Sequence, residues 1–126
     1  RILNPGRVRQ ISGGFSFIPH RFLTGGFLAS LDQKEILLYL FLVLVSDRYG
    51  LSYYSYDMVC SLTRLTLDEY IEARDGLLKK DMISFDENIF QVLDLPATPS
   101  FSAPRSGEDP AVIARIIRQS LAEASR

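Results

Sequence analysis

The sequence predicts a mainly α fold with a small β-hairpin, and three observations carry that prediction. A ten-residue apolar run, Ile36–Val45, follows a helix-starting Asp32 with Glu35 three positions on. Two more N-cap residues, Ser55 and Thr66, stand ahead of helix-like stretches. Two β-prone runs, Met82–Phe85 and Ile89–Leu95, are joined by Asp86-Glu87-Asn88 in the manner of a hairpin. A chain of 126 residues is one ordinary domain with room for tails. With 47% apolar residues it buries a core and does not stay disordered as a whole.

Residues 1–30 read as an N-terminal extension that packs on the helical body. Asn4-Pro5-Gly6 marks a turn and Gly13-Gly14 a break, and Phe15, Phe17 and Ile18 around Ser16 suit a short strand or extended segment. Pro19 opens a helical turn through Leu23 that Gly25-Gly26 ends. Phe22, Leu23, Phe27 and Leu28 then need cover.

The first helix of the body starts at the Asp32 cap and runs to about Arg48, stopping before Gly50, which suits a left-handed C-terminal position. It is apolar nearly all round, so it is expected at the centre of the core. Leu51–Tyr54 reads as a short strand. Ser55 caps a second helix, about Tyr56–Leu62, with Asp57 favourable to its dipole. Thr63-Arg64-Leu65 turns into a third helix, capped by Thr66 with Glu69 as its reciprocal partner and ending near Lys80. Its inward stripe takes Tyr70 or Ile71, Ala73 or Arg74, and Leu77, while Asp68, Glu69, Glu72, Asp75 and Lys79 face out. In the hairpin, Asn88 is the best candidate for the positive φ of a tight turn. Leu95-Pro96 closes the body at residues 31–96. Residues 97–109 are a Pro- and Ser-rich linker. Residues 110–126, entered through Asp109-Pro110, are a C-terminal amphipathic helix. Its narrow stripe of Ile113, Ile116, Ile117 and Leu121 needs a surface, either its own body or another chain.

The formal charge of -1 hides a split: residues 1–24 hold four arginines and no acid, residues 25–96 hold six bases against twelve acids, and residues 97–126 hold four bases against three acids. A basic arm precedes an acidic body. Cys60 stands alone, which excludes an intrachain disulfide, and with no base cluster near it the thiol reads as a small buried hydrophobe. The longest apolar run is half of the roughly 20 residues a membrane span needs, and no apolar leader opens the chain. A cytoplasmic protein without membrane contact is expected. His20 is the only histidine, and there is no Gly-rich phosphate loop, HExxH or Gly-x-Ser-x-Gly. The abundant carboxylates are explained by capping and by a solvated helix face. No catalytic residue, metal site or cofactor is expected.

Helix, short strand, helix, helix, hairpin is the element order of a winged helix-turn-helix. Leu31–Pro96 resembles that superfamily, found in bacterial regulators and replication initiators. The likeness lies in EARDGLLKKDMIS (Glu72–Ser84), as the end of the third helix entering the first wing strand, and in IFQVLDLP (Ile89–Pro96), as the second. The chain also resembles a set of uncharacterised bacterial helix-turn-helix proteins with segments like NPGRVRQI (Asn4–Ile11), FSFIPHRFL (Phe15–Leu23) and LYLFLVLVSDRYGLSYYS (Leu38–Ser55). The first resemblance implies a protein that binds double-stranded DNA, regulatory or accessory to replication or transposition. The third helix of such a domain enters the major groove. Here that helix and the wing tip, Asp86-Glu87, are acidic, which disfavours direct readout. The expected DNA contacts are therefore Arg7, Arg9 and Arg21 in the arm, Arg64 in the turn, and Lys79 and Lys80 at the far end of the helix. The alternative is a protein-interaction adaptor whose C-terminal helix docks through Ile113, Ile116, Ile117 and Leu121 on a partner or on a second copy as a homodimer. Core and rim packing accounts for most of Tyr49, Tyr53, Tyr54 and Tyr56, which also suit a base-stacking platform or a protein interface.

Overall fold

The computed structural model of the protein describes residues 1–101 and Arg118. Among them the fold is mixed α/β, with five α-helices and a three-stranded antiparallel sheet. Two single-turn helices, α1 (Arg21–Thr24) and α2 (Phe27–Ser30), lead into α3 (Gln33–Val45). Strand β1 (Leu51–Tyr53) precedes α4 (Tyr56–Thr63) and α5 (Leu67–Lys79), and the chain then makes the hairpin β2 (Ile83–Asp86) and β3 (Ile89–Val92). The sheet order is β1-β3-β2, so the hairpin's second strand lies in the middle and β1 joins it from outside, Ser52 opposite Phe90.

Both expected capping boxes form. Asp32 accepts from the Glu35 backbone N–H at 2.9 Å while Glu35 accepts from the Asp32 N–H at 2.8 Å. Thr66 and Glu69 do the same at 3.1 and 2.9 Å. These exchanges satisfy two of the donors that a helix start leaves orphaned. Ser55 stands at the N-cap of α4 with extended backbone, but its side chain makes no capping bond.

α3 stops at Val45, short of the expected Arg48. Ser46 turns its hydroxyl back to the Val43 carbonyl, and the Asp47 carboxylate accepts from the N–H groups of Tyr49 and Leu51 at 2.8 and 3.0 Å. Side-chain bonds of this kind offer the backbone an alternative to the helix. Gly50 is left-handed, as expected, but inside the following turn, at φ +83°. A Cβ there would collide with the Val92 carbonyl oxygen, and the Gly50 carbonyl accepts from the Val92 N–H at 2.8 Å. That close approach carries the chain from α3 to the edge of the sheet.

α5 ends in paired reversed bonds, Met82 N–H to the Leu77 carbonyl at 3.0 Å and Asp81 N–H to that of Leu78 at 3.2 Å, with Asp81 at φ +61°. This is the Schellman closure, here made by an Asp in the place that glycine fills at least strain. The hairpin turn puts its positive φ on Glu87 (+54°), the first of two loop residues, and not on Asn88.

The core is continuous through all of these elements: Phe27, Leu38, Leu42, Val59, Leu77, Met82 and Phe90 are fully buried. Phe22 stacks on Tyr39 with ring centroids 5.1 Å apart, and Phe85 packs on Phe90 at 4.6 Å. On α5, Tyr70, Ala73 and Leu77 take the inward stripe, and Ile71 stays outside it.

A buried ion pair ties the top of this core together. Lys80, 6% exposed, donates to Glu35 at 2.6 Å and to the Ser30 carbonyl at 2.8 Å, joining the end of α5 to α2 and the first turn of α3. Gly76 leaves the room that the Glu35 carboxylate fills.

The extension packs on the body only in part. From Phe22 to Leu31 its large side chains enter the core, and Arg21 ties it to the end of the body by donating to the carbonyls of Leu95 and Pro96 at 2.8 and 2.9 Å. Residues 1–20 are exposed throughout. The expected turn is present as a 3-10 turn, Pro5–Arg7, but Phe15–Ile18 forms no strand, since it pairs with neither edge of the sheet.

Candidate interaction surfaces

Six basic residues were expected on DNA, and the fold divides them. Lys80 is buried and spent on Glu35 and Ser30, so it has no ammonium to offer a phosphate. The signal for this was in the spacing: Lys80 falls three residues after Leu77 on the buried stripe of α5, and Glu35 three before Leu38 on that of α3. Arg21 has both terminal nitrogens on backbone carbonyls and lies 5.3 Å over the Phe27 ring. It is a structural tie. Arg7, Arg9, Arg64 and Lys79 are exposed.

Arg64 and Lys79 do not form one patch along α5. Arg64 is the left-handed cap residue of α4, at φ +65°, one turn ahead of α5, and Lys79 ends α5. At 1.5 Å per residue that helix holds them about 20 Å apart. Between them its surface shows Asp68, Glu69, Glu72 and Asp75, all exposed. Glu72 approaches Lys34 at 3.5 Å, and Asp75 holds the Arg74 guanidinium, which also covers the Tyr70 and Phe85 rings. Asp68 makes neither contact. Hydrogen bonds, first from the Thr66 backbone N–H and then with its side chain, hold Glu69 below the usual carboxylate range. Burial pushes Asp32 up, but bonds from Lys34 and from the Glu35 backbone outweigh it and hold that carboxyl low as well. The exposed face of α5 is thus rich in carboxylates.

It is also partly apolar. Leu67, Ile71 and Leu78 of α5 are exposed. α3, expected to be covered all round, buries Leu38, Tyr39, Leu42 and Val43 on one face and leaves Leu37, Leu40 and Leu44 open on the other. Core and rim packing accounts for one of the four tyrosines: Tyr54 meets the Phe41 ring edge-on at 5.5 Å, whereas Tyr49, Tyr53 and Tyr56 are exposed. Exposed tyrosine and leucine at this density fit a protein contact.

Among the described residues no group of three or more His, Cys, Asp or Glu is placed to hold a metal, and no helix is long and apolar enough to cross a membrane. Burial, then the Asp57 carboxylate, pushes the Cys60 thiol up, which leaves it a poor nucleophile at neutral pH. His20 stands at the start of α1, where its carbonyl accepts from Leu23 and Thr24.

A cleft of about 580 Å³ opens between the end of α3, the chain after β3 and the base of the arm. Tyr39, Val43, Val92 and Leu95 give it apolar walls, and Asp47 and Asp94 stand in its lining. Burial and the nearby Asp94 charge both push the Tyr39 phenol up, so it stays protonated as a donor. The expected interface residues Ile113, Ile116, Ile117 and Leu121 lie outside the described residues. Arg118, beside them in sequence, donates from Nε to the Thr24 carbonyl at 2.7 Å. Compared with protein-family models, with curated proteins and with solved structures, the chain matches none.

Proposed function

We propose that this chain is a winged helix-turn-helix domain used as a protein-interaction adaptor, with α5 turned toward a basic partner segment and not toward a DNA groove. The winged-helix reading is supported by the order α3, β1, α4, α5, β2, β3, with β1 added outside the hairpin. The observation that carries the adaptor reading is the exposed face of α5, which combines four carboxylates with Leu67, Ile71 and Leu78. Four carboxylates near phosphates repel more than they read, whereas the same charges steer a basic amphipathic helix and the apolar residues hold it.

The test is titration of the full chain with a lysine- and leucine-rich amphipathic peptide. Binding is expected to weaken as salt rises, and to weaken roughly ten-fold or more in Asp68→Lys with Glu72→Lys. Neither residue is buried, so the variant keeps its core. Failure to bind the peptide, or binding indifferent to that charge reversal, overturns the reading.

A second reading, contact with duplex DNA through the arm, is favoured by one observation. Arg7 and Arg9 are exposed on either side of Val8, in an arm that holds no acid. Arg7→Ala with Arg9→Ala then lowers duplex affinity and flattens its salt dependence. Unchanged binding removes the arm from any nucleic-acid role.

A further inference from the structure

The arm and the cleft beside it are each incomplete. Leu3, Ile11 and Phe17 are 86%, 76% and 78% exposed, an uncommon density of bare apolar side chains on one segment. Before His20 the arm carries Arg1, Arg7 and Arg9 and no acid. The cleft has apolar walls, and its lining holds the carboxylates Asp47 and Asp94 against one cation, Arg48, which lies 5.0 Å over the Tyr49 ring. Phe15, Ser16, Phe17 and Pro19 form one wall of it, but none of residues 1–14 lines it. Its volume of about 580 Å³ takes two aliphatic side chains with the backbone between them.

We propose that this cleft receives the arm of a second copy of the chain, residues 7–11, so that two copies exchange arms reciprocally. Carried on through Ile11, the polyproline II conformation that Val8 already holds, at φ -65° and ψ 131°, puts Val8 and Ile11 on one side, and the two enter between Tyr39, Val43, Val92 and Leu95. Arg7 and Arg9, which flank Val8, reach Asp47 and Asp94 at the rim. The complementarity is of sign as well as shape, a basic arm for an acidic body. Gly13, at φ +67°, and Gly14 have no atom within 4 Å of where a Cβ would stand, which leaves the chain room to redirect between the anchored segment and the free one. A two-fold exchange fills both clefts with a single kind of contact and closes without forming fibres. The inference does not rest on the role of α5.

The experiment is the mass of the full chain in solution across a range of concentrations, by sedimentation. The expected particle is twice 14.2 kDa, reverting to one chain when residues 1–12 are removed, with an unchanged helical spectrum. Arg7→Glu with Arg9→Glu, and separately Asp47→Asn with Asp94→Arg, are each expected to weaken the dimer by roughly ten-fold, while an equimolar mixture of the two variants restores it. Asn at 47 keeps the acceptor that the Tyr49 and Leu51 N–H groups need. A full chain that stays monomeric, its arm folded into its own cleft or drawn to anionic vesicles, overturns the proposal. So does a dimer that survives loss of the arm, or a mixture that fails to restore it.

Discussion

The arm, residues 1–20, and the body from Phe22 to Leu95 are built from similar residues and end in opposite states. Both carry large apolar residues and arginines: Ile2, Leu3, Val8, Ile11, Phe15, Phe17 and Ile18 with Arg1, Arg7 and Arg9 in the arm, and a leucine-rich set with Arg48, Arg64 and Arg74 in the body. In the body nearly every large apolar residue on an inward stripe is covered, and Lys80 and Arg74 beside it are spent on carboxylates, a carbonyl or rings. In the arm the same residue types remain exposed. What separates them is a place to go. The body's segments have caps that start a helix or a neighbouring strand that accepts a ladder, and the arm has neither. Composition alone therefore does not decide burial; the availability of a partner surface does, and among the described residues the arm finds none.

The contrast should be largest between two lysines adjacent in sequence. Lys80→Met removes one member of a buried pair and is expected to lower unfolding free energy by about 3–5 kcal/mol, because it strands the Glu35 carboxylate. Lys79→Met, on the exposed end of α5, should change it by less than about 0.5 kcal/mol. Adding Glu35→Leu to Lys80→Met should recover part of the loss, which denaturant titration of the four proteins would read. A pair of phenylalanines makes the comparison across regions. Phe90→Ala is expected to cost about 3–5 kcal/mol and Phe17→Ala almost nothing, since the first ring is fully buried and the second 78% exposed. Equal effects would mean that the arm belongs to the core.

Gly50→Ala should come next, at more than about 1 kcal/mol, since it forces a left-handed Ala against the Val92 carbonyl. Gly13→Ala is likewise left-handed but faces open space, and strain alone should make its effect the smaller of the two. The smallest effect is on pH dependence. Asp32 and Glu69 are both held below their ordinary values of 3.8 and 4.5, so the stability they contribute is present above those values and is lost as pH falls through the lowered ones. Melting temperature is expected to decline with acid below about pH 4.5, and less so in Asp32→Asn, which no longer titrates there.

Much of the body was legible in the sequence because its signals are local. The Asp32-Glu35 and Thr66-Glu69 boxes act within four residues, and the spacing of Tyr70, Ala73 and Leu77 reports one face of one helix. Three features escaped for reasons that are also physical. Lys80 was read as a helix-end cation, though its position on the buried stripe marked it as a partner for another buried charge. Arg21 finds carbonyls more than 70 residues away, which no spacing rule reaches. The end of α3 was set by side-chain bonds from Ser46 and Asp47 rather than by the glycine beyond them. The candidate surfaces were half legible: the acidity of α5 could be read directly, but the open leucine face of α3 and the cleft beside the arm depend on what packs where.

The central claim is that α5 does not meet DNA. Its most direct test is titration of a duplex of about 30 base pairs with the full chain at roughly 50 and 200 mM salt, alongside Arg64→Asn with Lys79→Ala, which leaves the arm intact. Asn at 64 removes the charge and still tolerates the left-handed backbone found there. Both proteins are expected to show the same affinity and the same salt dependence. A steep loss of affinity in the variant, with a flatter salt dependence, would place the two ends of α5 on the phosphates and contradict it.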